Sequence, residues 1–384
     1  MITRLLKAGS EENTLATCLY QLEQGHQVWV VHGDEFDPTY RETLPATLRL
    51  VEVSSMVHPI RPPKDFQALL DLRRLYREIG VDVIHTHQSK AGILGRAAAA
   101  GLRVPAVIHT VHIAPFLNVG GLTKAFYVVV ERLCASISDV IINVSEGMRD
   151  ACLENGVGRP DQQVVIHSGM PVQKFAAAKP PADWRARIGG WAGERPRMML
   201  MLAAFEPRKR QEAFLRAAAR HLQANPNIVL LFGGSGIRMA AAKDLAQSLG
   251  VAGQVRFLGH DPAPEELIAL SDVCLLTSER EGLPRVAVQY MAGGRPVVIS
   301  DLPGITEIVH HDINGLIGPA DDLDQVASMA FGLINDASAL TRLKDGAAKT
   351  DVSTWAQERM GMEIQRAYDA VLARKAGASV VATA

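Results

Sequence analysis

The amino-acid sequence predicts an α/β protein with two doubly wound parallel sheets, one in each half of the chain. Short apolar segments rich in branched residues alternate with helical segments along nearly all of the 384 residues. A stretch rich in proline, glycine and charge, residues 176–197, interrupts this alternation once. A chain of this length exceeds what one hydrophobic core usually serves. We therefore expect two Rossmann-like domains in tandem that face a central cleft.

The first half contains five segments with the composition of buried parallel strands. They are QVWVVHG (27–33), LRLVEV (48–53), VDVIHTH (81–87), AVIHTVH (106–112) and DVIINVS (139–145). The segments between them are helical in pattern: in EENTLATCLYQLEQGH, apolar residues fall at i, i+3, i+4 and i+7, namely Leu15, Cys18, Leu19 and Leu22. These elements predict a first domain over residues 1–170.

The second half repeats the alternation. Its strand segments are MMLMLAAF, NIVLLFGG, VRFLG, VCLLTS and PVVIS, which predict a second domain over residues 171–353. The helical segment TWAQERMGMEIQRAYDAVLARK (354–375) follows the completed second sheet. We expect this C-terminal segment, 354–384, to pack back toward the first domain, with GASVVATA as a frayed tail.

Charge and composition exclude several classes of protein. The chain has forty basic and forty-one acidic residues and no long run of one sign, which argues against nonspecific electrostatic binding of nucleic acid. No apolar run approaches the roughly 20 residues that span a bilayer, and MITRLLKAGSEEN lacks the long apolar stretch of a secretion signal. We expect a cytoplasmic protein, with the inner face of the membrane as the alternative location.

The loop after VCLLTS has the chemistry of a ligand site. Glu281 can direct a carboxylate at hydroxyl groups, and Gly282 permits close approach of the backbone. Pro284 and Arg285 mark a helix start, whose free N–H groups suit an anionic oxygen. Gln289 lies eight residues beyond Glu281, about 80° around a helix axis, and can face the same side. The simpler alternative is an acidic cluster at the start of an ordinary helix.

The segment SEREGLPRVAVQYMAGGRPVVISDLPGITEIVHHDINGLI resembles the C-terminal signature of retaining glycosyltransferases of family 4, which have the two-domain GT-B fold. The family pattern is Glu, seven residues, Glu, then a proline-led strand, a glycine turn with a further Glu, and Asn-Gly. The matching residues are Glu281, Pro296, Gly304, Glu307, Asn314 and Gly315. AGSEENTL, HTHQSKAGILGR, HTVH and VVIHSGM are similar to the family's N-terminal loops, so the resemblance covers residues 3–372.

This resemblance implies a sugar transfer from a nucleotide-sugar, UDP-linked or else GDP-linked, to a hydroxyl of a glycan or lipid-linked acceptor in surface polysaccharide or lipopolysaccharide synthesis. It assigns the first Glu of the pattern, Glu281, to the donor sugar and the second to the ribose. The second is Gln289 here, and the lost charge is worth about 1 kcal/mol of nucleotide affinity. It also implies nucleotide contacts by the loop of Gly282, Leu283, Pro284 and Arg285.

The segment LAAFEPRKRQEAF (202–214) is the second implied site. The departing diphosphate must be neutralised by fixed cations or a metal. The family uses an Arg and, five residues on, a Lys; Lys209 matches the Lys, but the Arg position holds Ala204. Arg208 or Arg210 can substitute from the same loop. The alternative is a solvated basic helix start, which is unusual because cations disfavour helix N-termini.

Five further residues come from the ends of strands or the loops that follow them. By resemblance, His112 in HTVHIAPF lies near the anomeric centre or the 6-hydroxyl of the donor sugar, although a lone histidine is more often structural. Gly9 in LLKAGSEEN stands where relatives have Gly-Gly, whose backbone approaches the distal phosphate and the acceptor. The alternative is that Gly9 only connects a strand to a helix. Gly234 lies in LLFGGSGIR, which lacks the spacing of a dinucleotide site. Leu258 and Gly259 in FLGHD match the backbone that holds the base.

Neither a metal nor another cofactor is expected. Asp322-Leu323-Asp324 has the Asp-X-Asp pattern of a metal-binding pair. Apolar residues at helical spacing follow it, however, so we predict that it caps the start of a helix. The helical segment 61–80, with Arg73, Arg74 and Arg77, could rest on anionic lipid, and is more often a solvated face. We expect peripheral membrane contact at most.

Two other functions stay open at this point. Ala204 and Gln289 motivate a sugar-nucleotide binding or partner protein whose catalysis has weakened or been lost. A sugar-nucleotide epimerase of the same architecture predicts a product without any acceptor. Binding without turnover separates the first of these from a transferase.

Overall fold

The structure is a computed structural model that describes residues 1–6, 9–117, 119–281 and 284–381. The chain divides into two compact units. One comprises Met1–Met170 together with the residues from 354 onward, and the other is Pro171–Ser353. All pairings between the strands of each unit are parallel, which confirms the predicted α/β class.

The strands of the first unit are β1 (Trp29–His32), β2 (Arg49–Glu52), β3 (Val83–His87), β4 (Ala106–Val111), β5 (Val140–Asn143) and β6 (Gln163–Val165). Its helices before residue 170 are α1 (Gly9–Glu23), α2 (Tyr40–Thr43), α3 (Pro62–Ile79), α4 (Ser89–Ala99), α5 (Gly121–Ile137) and α6 (Glu146–Glu154). Strands and helices alternate, as the periodicity of the sequence predicts.

The sheet of the first unit is assembled around the first residues of the chain. β3, β4, β5 and β6 are adjacent in that order, and β1 pairs with β2. Ile2 bridges to His32 at the end of β1, and the His87 N–H donates to the Met1 carbonyl at 2.9 Å. Residues 1–5 therefore lie between β1 and β3. Because all of these strands are parallel, their carboxyl ends meet at one edge of the sheet.

Helix α3 shows how local sequence sets the ends of an element. It begins at the Pro62-Pro63 pair, where the missing N–H groups cost nothing. It ends at Gly80, whose φ of 67° is the left-handed conformation that glycine adopts readily. Ala68, Leu72 and Tyr76 form its buried face. α3 packs on α4, and α4 in turn on α5, so the three helices cover one face of the sheet together.

A buried ion pair joins α4 to α5. Arg96 Nη2 donates to Glu131 Oε2 at 2.7 Å, and Arg96 Nε donates to the Gly92 carbonyl at 2.8 Å. The two charged side chains are 0% and 4% exposed. A charge in such a place is tolerated only when it is paired, so this contact fixes which side of α5 faces the interior.

The strands of the second unit are β7 (Arg197–Leu202), β8 (Ile228–Gly233), β9 (Val255–Gly259), β10 (Val273–Leu276), β11 (Val297–Ser300) and β12 (Gly315–Gly318). Its helices are α7 (Val172–Ala176), α8 (Trp184–Arg187), α9 (Gln211–Ala224), α10 (Met239–Ser248), α11 (Pro264–Leu270), α12 (Arg285–Ala292), α13 (Leu323–Asn335) and α14 (Ala337–Ala348). The sheet order is β12-β11-β10-β7-β8-β9. β7 and β10 are therefore neighbours at its centre.

Three elements differ from the prediction. β6 and β12 were not predicted as strands, since β6 has three residues and β12 both begins and ends with glycine. The last helix, α15 (Gln357–Val381), continues past the predicted end at residue 375, so helix replaces a frayed tail up to 381. It packs on α1 and β4 of the first unit. Residues 382–384 of the predicted tail lie outside the described residues.

Candidate active site

Three charged side chains predicted for the site meet in the second unit. Glu281, in the loop after β10, pairs through Oε1 with the Lys209 ammonium and through Oε2 with Arg208 Nη1, the latter at 3.1 Å. The side chains of Glu281, Lys209 and Arg208 are 9%, 14% and 31% exposed. One carboxylate is thus shared by two cations in a largely enclosed place, where charge interactions are stronger than in water.

Adjacent strands bring these residues together. Lys209 lies in a 3₁₀ turn, Pro207–Lys209, that follows β7, and Glu281 follows the neighbouring strand β10. The two loops are tied by backbone contacts: the Thr277 hydroxyl donates to the Lys209 carbonyl at 3.1 Å, and the Glu279 N–H to the Arg208 carbonyl at 2.8 Å. The cluster is therefore held by the sheet and by its own loop backbone.

The structure separates the two arginines proposed to replace the family's missing one at Ala204. Arg208 reaches Glu281 and also binds Glu206 through Nε at 2.9 Å. Arg210 adopts a φ of 60° at the head of α9, and its guanidinium donates to the Ala320 carbonyl. Of the two, Arg208 is the one that shares the carboxylate with Lys209.

The helix start predicted after Glu281 is present. α12 begins at Arg285, and Pro284 at the cap position makes no side-chain hydrogen bond to the helix. Glu281 precedes the helix by four residues, so the angle of about 80° to Gln289 was wrong, because it assumed one continuous helix. Gln289 lies half-buried in the second turn. Gly282 and Leu283 lie outside the described residues.

The predicted nucleotide loop crowds against the end of β7. Gly234 has a φ of 131°, and a Cβ there would lie 2.1 Å from the Ala203 carbonyl oxygen, so only glycine fits. Its N–H donates to the Gly259 carbonyl at 2.6 Å, and Gly259 itself has a φ of 71°. Leu258 is half-buried beside it in β9. These residues lie at the carboxyl ends of neighbouring strands, as a ligand-binding edge requires.

In the first unit, His112 meets a histidine that was not predicted. His112 follows β4, which is buried throughout, and its Nε2 lies 3.1 Å from Nδ1 of His87. His87 ends the neighbouring strand β3, and its ring lies 4.2 Å from that of His85. Alternation of His85 and His87 along a strand that pairs with β4 was the signal available in the sequence.

The start of α1 is tied to the end of β3. Gly9 is the first residue of α1, and the following residues contact Gln88, which was not predicted. Gln88 Nε2 donates to Ser10 Oγ at 3.1 Å and to Glu11 Oε1 at 3.2 Å. Glu11 is 2% exposed and Gln88 adopts a φ of 63°. Polar side chains thus surround the carboxyl edge where Gly9 was expected to approach a ligand.

Stability should depend on pH through the buried histidines. Burial holds the pKa of His85, His87 and His109 well below the ordinary value, so all three are neutral when folded. The unfolded chain binds protons near pH 6.5, so the contribution of these groups is complete above that pH and is lost as the pH falls. We expect these three histidines together to lower the free energy of unfolding, measured in urea, by about 2 kcal/mol between pH 7 and pH 6. His32, His58 and His221, whose pKa burial also lowers, add to this loss.

The control for this prediction removes one titrating ring. His109→Gln should lower the pH-dependent loss by about 0.7 kcal/mol, whatever its effect on stability at pH 7. A free energy of unfolding that is flat over this interval, or an unchanged slope in the variant, would contradict the assignment.

The structure also bears on metal binding, on membrane spanning and on cavities. No group of three or more potential metal-ligating side chains occurs among the described residues, and Asp322 caps α13 by accepting from the Gln325 N–H at 2.9 Å. No helix in the described part of the chain has the length and apolar character needed to cross a bilayer. A cavity of about 670 Å³ in the first unit is lined by residues along β1 and β3, from Val28 and Asp82 near their amino ends to His85 and His87. None of the residues predicted for the site lines it.

Family models match both halves of the chain. Residues 8–169 match the model described as a glycosyl transferase 4-like domain, and residues 188–350 match glycosyl transferases group 1. An Escherichia coli UDP-Gal:alpha-D-GlcNAc-diphosphoundecaprenol alpha-1,3-galactosyltransferase is 27% identical, over 76% of each chain. A D-inositol 3-phosphate glycosyltransferase of Thermobispora bispora is 27% identical over 73% of this chain and 69% of its own.

Solved structures show the same fold. Anabaena HepE in complex with UDP superposes with a TM-score of 0.78 at 18% identity, covering 96% of this chain and 98% of that one. WaaG, described as a glycosyltransferase involved in lipopolysaccharide biosynthesis, gives 0.75 at 14% identity, covering 94% and 98%. These likenesses confirm the predicted GT-B fold.

Proposed function

Because this chain belongs to the family 4-like glycosyl transferases of group 1, we propose that it is a retaining enzyme that transfers a sugar from a UDP-sugar to a hydroxyl of a lipid-linked glycan. GDP-sugars are the alternative donors. The HepE structure contains UDP, and the Escherichia coli relative is named for a UDP-galactose donor, so both support a UDP-linked donor. The diphosphoundecaprenol acceptor of the Escherichia coli relative supports a lipid diphosphate acceptor. Surface polysaccharide or lipopolysaccharide synthesis is the proposed setting.

The cluster of Glu281, Lys209 and Arg208 carries this proposal. Breaking the bond between the sugar and the diphosphate leaves negative charge on a phosphate oxygen. Two enclosed cations at the carboxyl edge of the sheet are suited to neutralise that charge. The amino end of α12, which follows Glu281 in the chain, adds the positive end of a helix dipole for the same oxygens. The proposed independence of metal rests on these protein groups.

The proposed reaction keeps the configuration of the sugar. The bond from the anomeric carbon to the diphosphate oxygen breaks, the acceptor oxygen bonds to that carbon on the same face, and the acceptor proton passes to the departing phosphate. Lys209 and Arg208 hold the diphosphate, Glu281 accepts hydrogen bonds from the sugar hydroxyls, and Gln289 accepts one from the ribose. We assign the acceptor to the first unit, where His112 provides a polar contact backed by His87.

A donor screen tests the proposal. Thermal shifts are measured with UDP, GDP and their common sugar conjugates, in the wild type and in Glu281→Gln. We expect UDP to stabilise the variant at least as much as the wild type, because the variant still has both cations and lacks the carboxylate that competes for them. The additional shift from the sugar should disappear in the variant. Glu194→Gln, an exposed carboxylate in the same unit, is the matched control and should behave as wild type.

The possible results separate the candidate functions. An absence of any nucleotide-dependent shift would overturn the assignment, and a full sugar-dependent shift in Glu281→Gln would remove Glu281 from the donor site. Turnover is then measured with the donor identified. Binding without turnover in the presence of lipid-linked acceptors would indicate a binding protein with lost catalysis, and conversion of the donor without acceptor would indicate an epimerase.

A further inference from the structure

The second unit begins with a segment that lies outside its sheet. Residues 171–190, all of which the structure describes, form the short helices α7 and α8 and no strand. We refer to them as the opening segment. α7 packs on α11 and on α12, the helices that follow β9 and β10. The opening segment therefore lies against elements that leave the carboxyl edge of the sheet, where the candidate site is.

Arg187 ties the opening segment to the loop after β9, residues 260–263. Its Nε and Nη2 donate to the two carboxylate oxygens of Asp261 at 3.0 and 2.6 Å, and its Nη1 donates to Glu266 Oε2 at 2.9 Å. The side chains of Arg187 and Asp261 are 24% and 10% exposed. Because the guanidinium is planar and rigid, a bidentate contact of this kind fixes the orientation of the carboxylate as well as its position.

Asp261 transmits this restraint to the backbone of its own loop. Its Oδ1 also accepts from the Ala263 N–H at 2.8 Å, a contact typical of an aspartate that sets a turn. Two residues before Asp261, Gly259 adopts a φ of 71°, and its carbonyl accepts from the Gly234 N–H at 2.6 Å. The loop after β9 is thus held on one side by Gly234 of the candidate site and on the other by Arg187.

A second ion pair joins the opening segment to the same region. Lys174 Nζ in α7 lies 3.0 Å from Glu265 Oε1 in α11. The Lys174 side chain is 52% exposed, so water screens this pair, whereas the bidentate pair of Arg187 is more enclosed. Arg187 is therefore the residue of the opening segment that we expect to control the loop.

The simpler explanation is an ion pair that only stabilises the fold. Among residues 260–263, all of them described, Asp261 is the one residue whose side chain forms a hydrogen bond. Loss of Arg187 should therefore loosen this loop in particular, because no other side chain of the loop restrains it. A local effect on the loop, without a general loss of stability, distinguishes a positioning role from the simpler explanation.

We propose that Arg187 is a positioning residue for the base of the nucleotide. It holds the loop after β9 in the conformation in which the backbone around Leu258 and Gly259 contacts the base, and it does not touch the nucleotide itself. The contact with the base rests on the proposed function, whereas the restraint of the loop does not. Recognition of the uridine should then depend on Arg187, while recognition of the diphosphate, assigned to Lys209 and Arg208, should not.

Ligand binding by the full chain tests the part that concerns the base. Dissociation constants for UDP and for inorganic pyrophosphate are measured by calorimetry in the wild type and in Arg187→Ala. We expect the substitution to weaken UDP binding about tenfold and to change pyrophosphate binding by less than about twofold. Arg187→Lys keeps the charge but loses the bidentate geometry, so its UDP affinity should be intermediate.

Amide hydrogen exchange without any ligand tests the restraint of the loop. Exchange is followed by mass spectrometry in peptides that cover residues 258–266 and strand β8. In Arg187→Ala we expect residues 258–266 to exchange about tenfold faster and β8 to exchange as in the wild type. The matched control is Arg185→Ala: Arg185 is exposed, contacts the Gly193 carbonyl and the Trp184 ring, and should be dispensable in both experiments.

Each result has a defined meaning. Unchanged exchange of residues 258–266, or wild-type affinity for UDP, in Arg187→Ala would overturn the inference. An equal loss of affinity for UDP and pyrophosphate, or faster exchange that extends to β8, would also overturn it, because either result indicates a purely structural ion pair. If the wild type bound no UDP, the proposed function would fail, and the exchange experiment would still decide whether Arg187 holds the loop.

Discussion

Replacing Lys209 by alanine is expected to slow sugar transfer by about 10²–10³-fold. The charge that develops on the departing diphosphate is greatest in the transition state, and Lys209 is the more enclosed of the two cations that share Glu281. Its loss therefore acts mainly on kcat, while nucleotide affinity declines less. The rate is measured as UDP release from the donor identified by thermal shift, in the presence of a lipid-linked acceptor.

Two variants control this experiment. Lys179→Ala removes an exposed lysine of the same unit and should leave the rate unchanged. Lys209→Arg keeps the charge with another geometry and should recover part of the loss. Because Glu281 retains Arg208 as a partner, the Lys209→Ala protein should unfold at nearly the wild-type temperature. A folded Lys209→Ala protein with the wild-type kcat would remove the lysine from the transfer step.

Glu131→Ala is expected to lower the free energy of unfolding by about 3–5 kcal/mol. The substitution leaves the Arg96 guanidinium, which is 0% exposed, without its carboxylate in the interior between α4 and α5. A buried charge that loses its partner pays its desolvation cost without compensation. The measurement is urea unfolding of the full chain at pH 7, followed by far-ultraviolet circular dichroism.

The comparison that isolates this effect is an exposed ion pair. Arg74 and Glu78 on α3 are 80% and 55% exposed, and Glu78→Ala should change the free energy of unfolding by about 1 kcal/mol or less. Replacing both buried partners, as Arg96→Met with Glu131→Leu, should restore much of the stability. If the single and double variants were equally unstable, the loss would stem from packing and not from an unpaired charge.

The longer strands and helices were predictable because their amino-acid composition fits only one type of secondary structure. NIVLLFGG is apolar at every position after the asparagine, as befits β8, which is buried on both faces. β12 has the sequence GLIG, too short and too rich in glycine to be distinguished from a turn, and it becomes a strand by pairing with β11. Tertiary pairing of that kind leaves no local signal.

In the candidate site, likewise, the residues were predictable but their contacts were not. Glu281 and Lys209 were predicted to belong to the site, but their direct contact depends on β7 and β10 being neighbours, which spacing along the chain does not reveal. Arg208 and Arg210 are nearly adjacent, and the left-handed turn at Arg210 sends their side chains to different partners. His87 was missed because alternation in a short buried strand resembles ordinary core packing.

The arrangement of Glu281 also bears on how a turnover ends. In the structure, Arg208 and Lys209 both contact this carboxylate, so the cations already have an internal counter-ion. When a nucleoside diphosphate leaves, the same carboxylate can take over from it, and departure becomes an exchange of one anion for another. The two cations therefore always have an anionic partner in this largely enclosed site. Without a bound nucleotide, Glu281 keeps both side chains in place for the next donor.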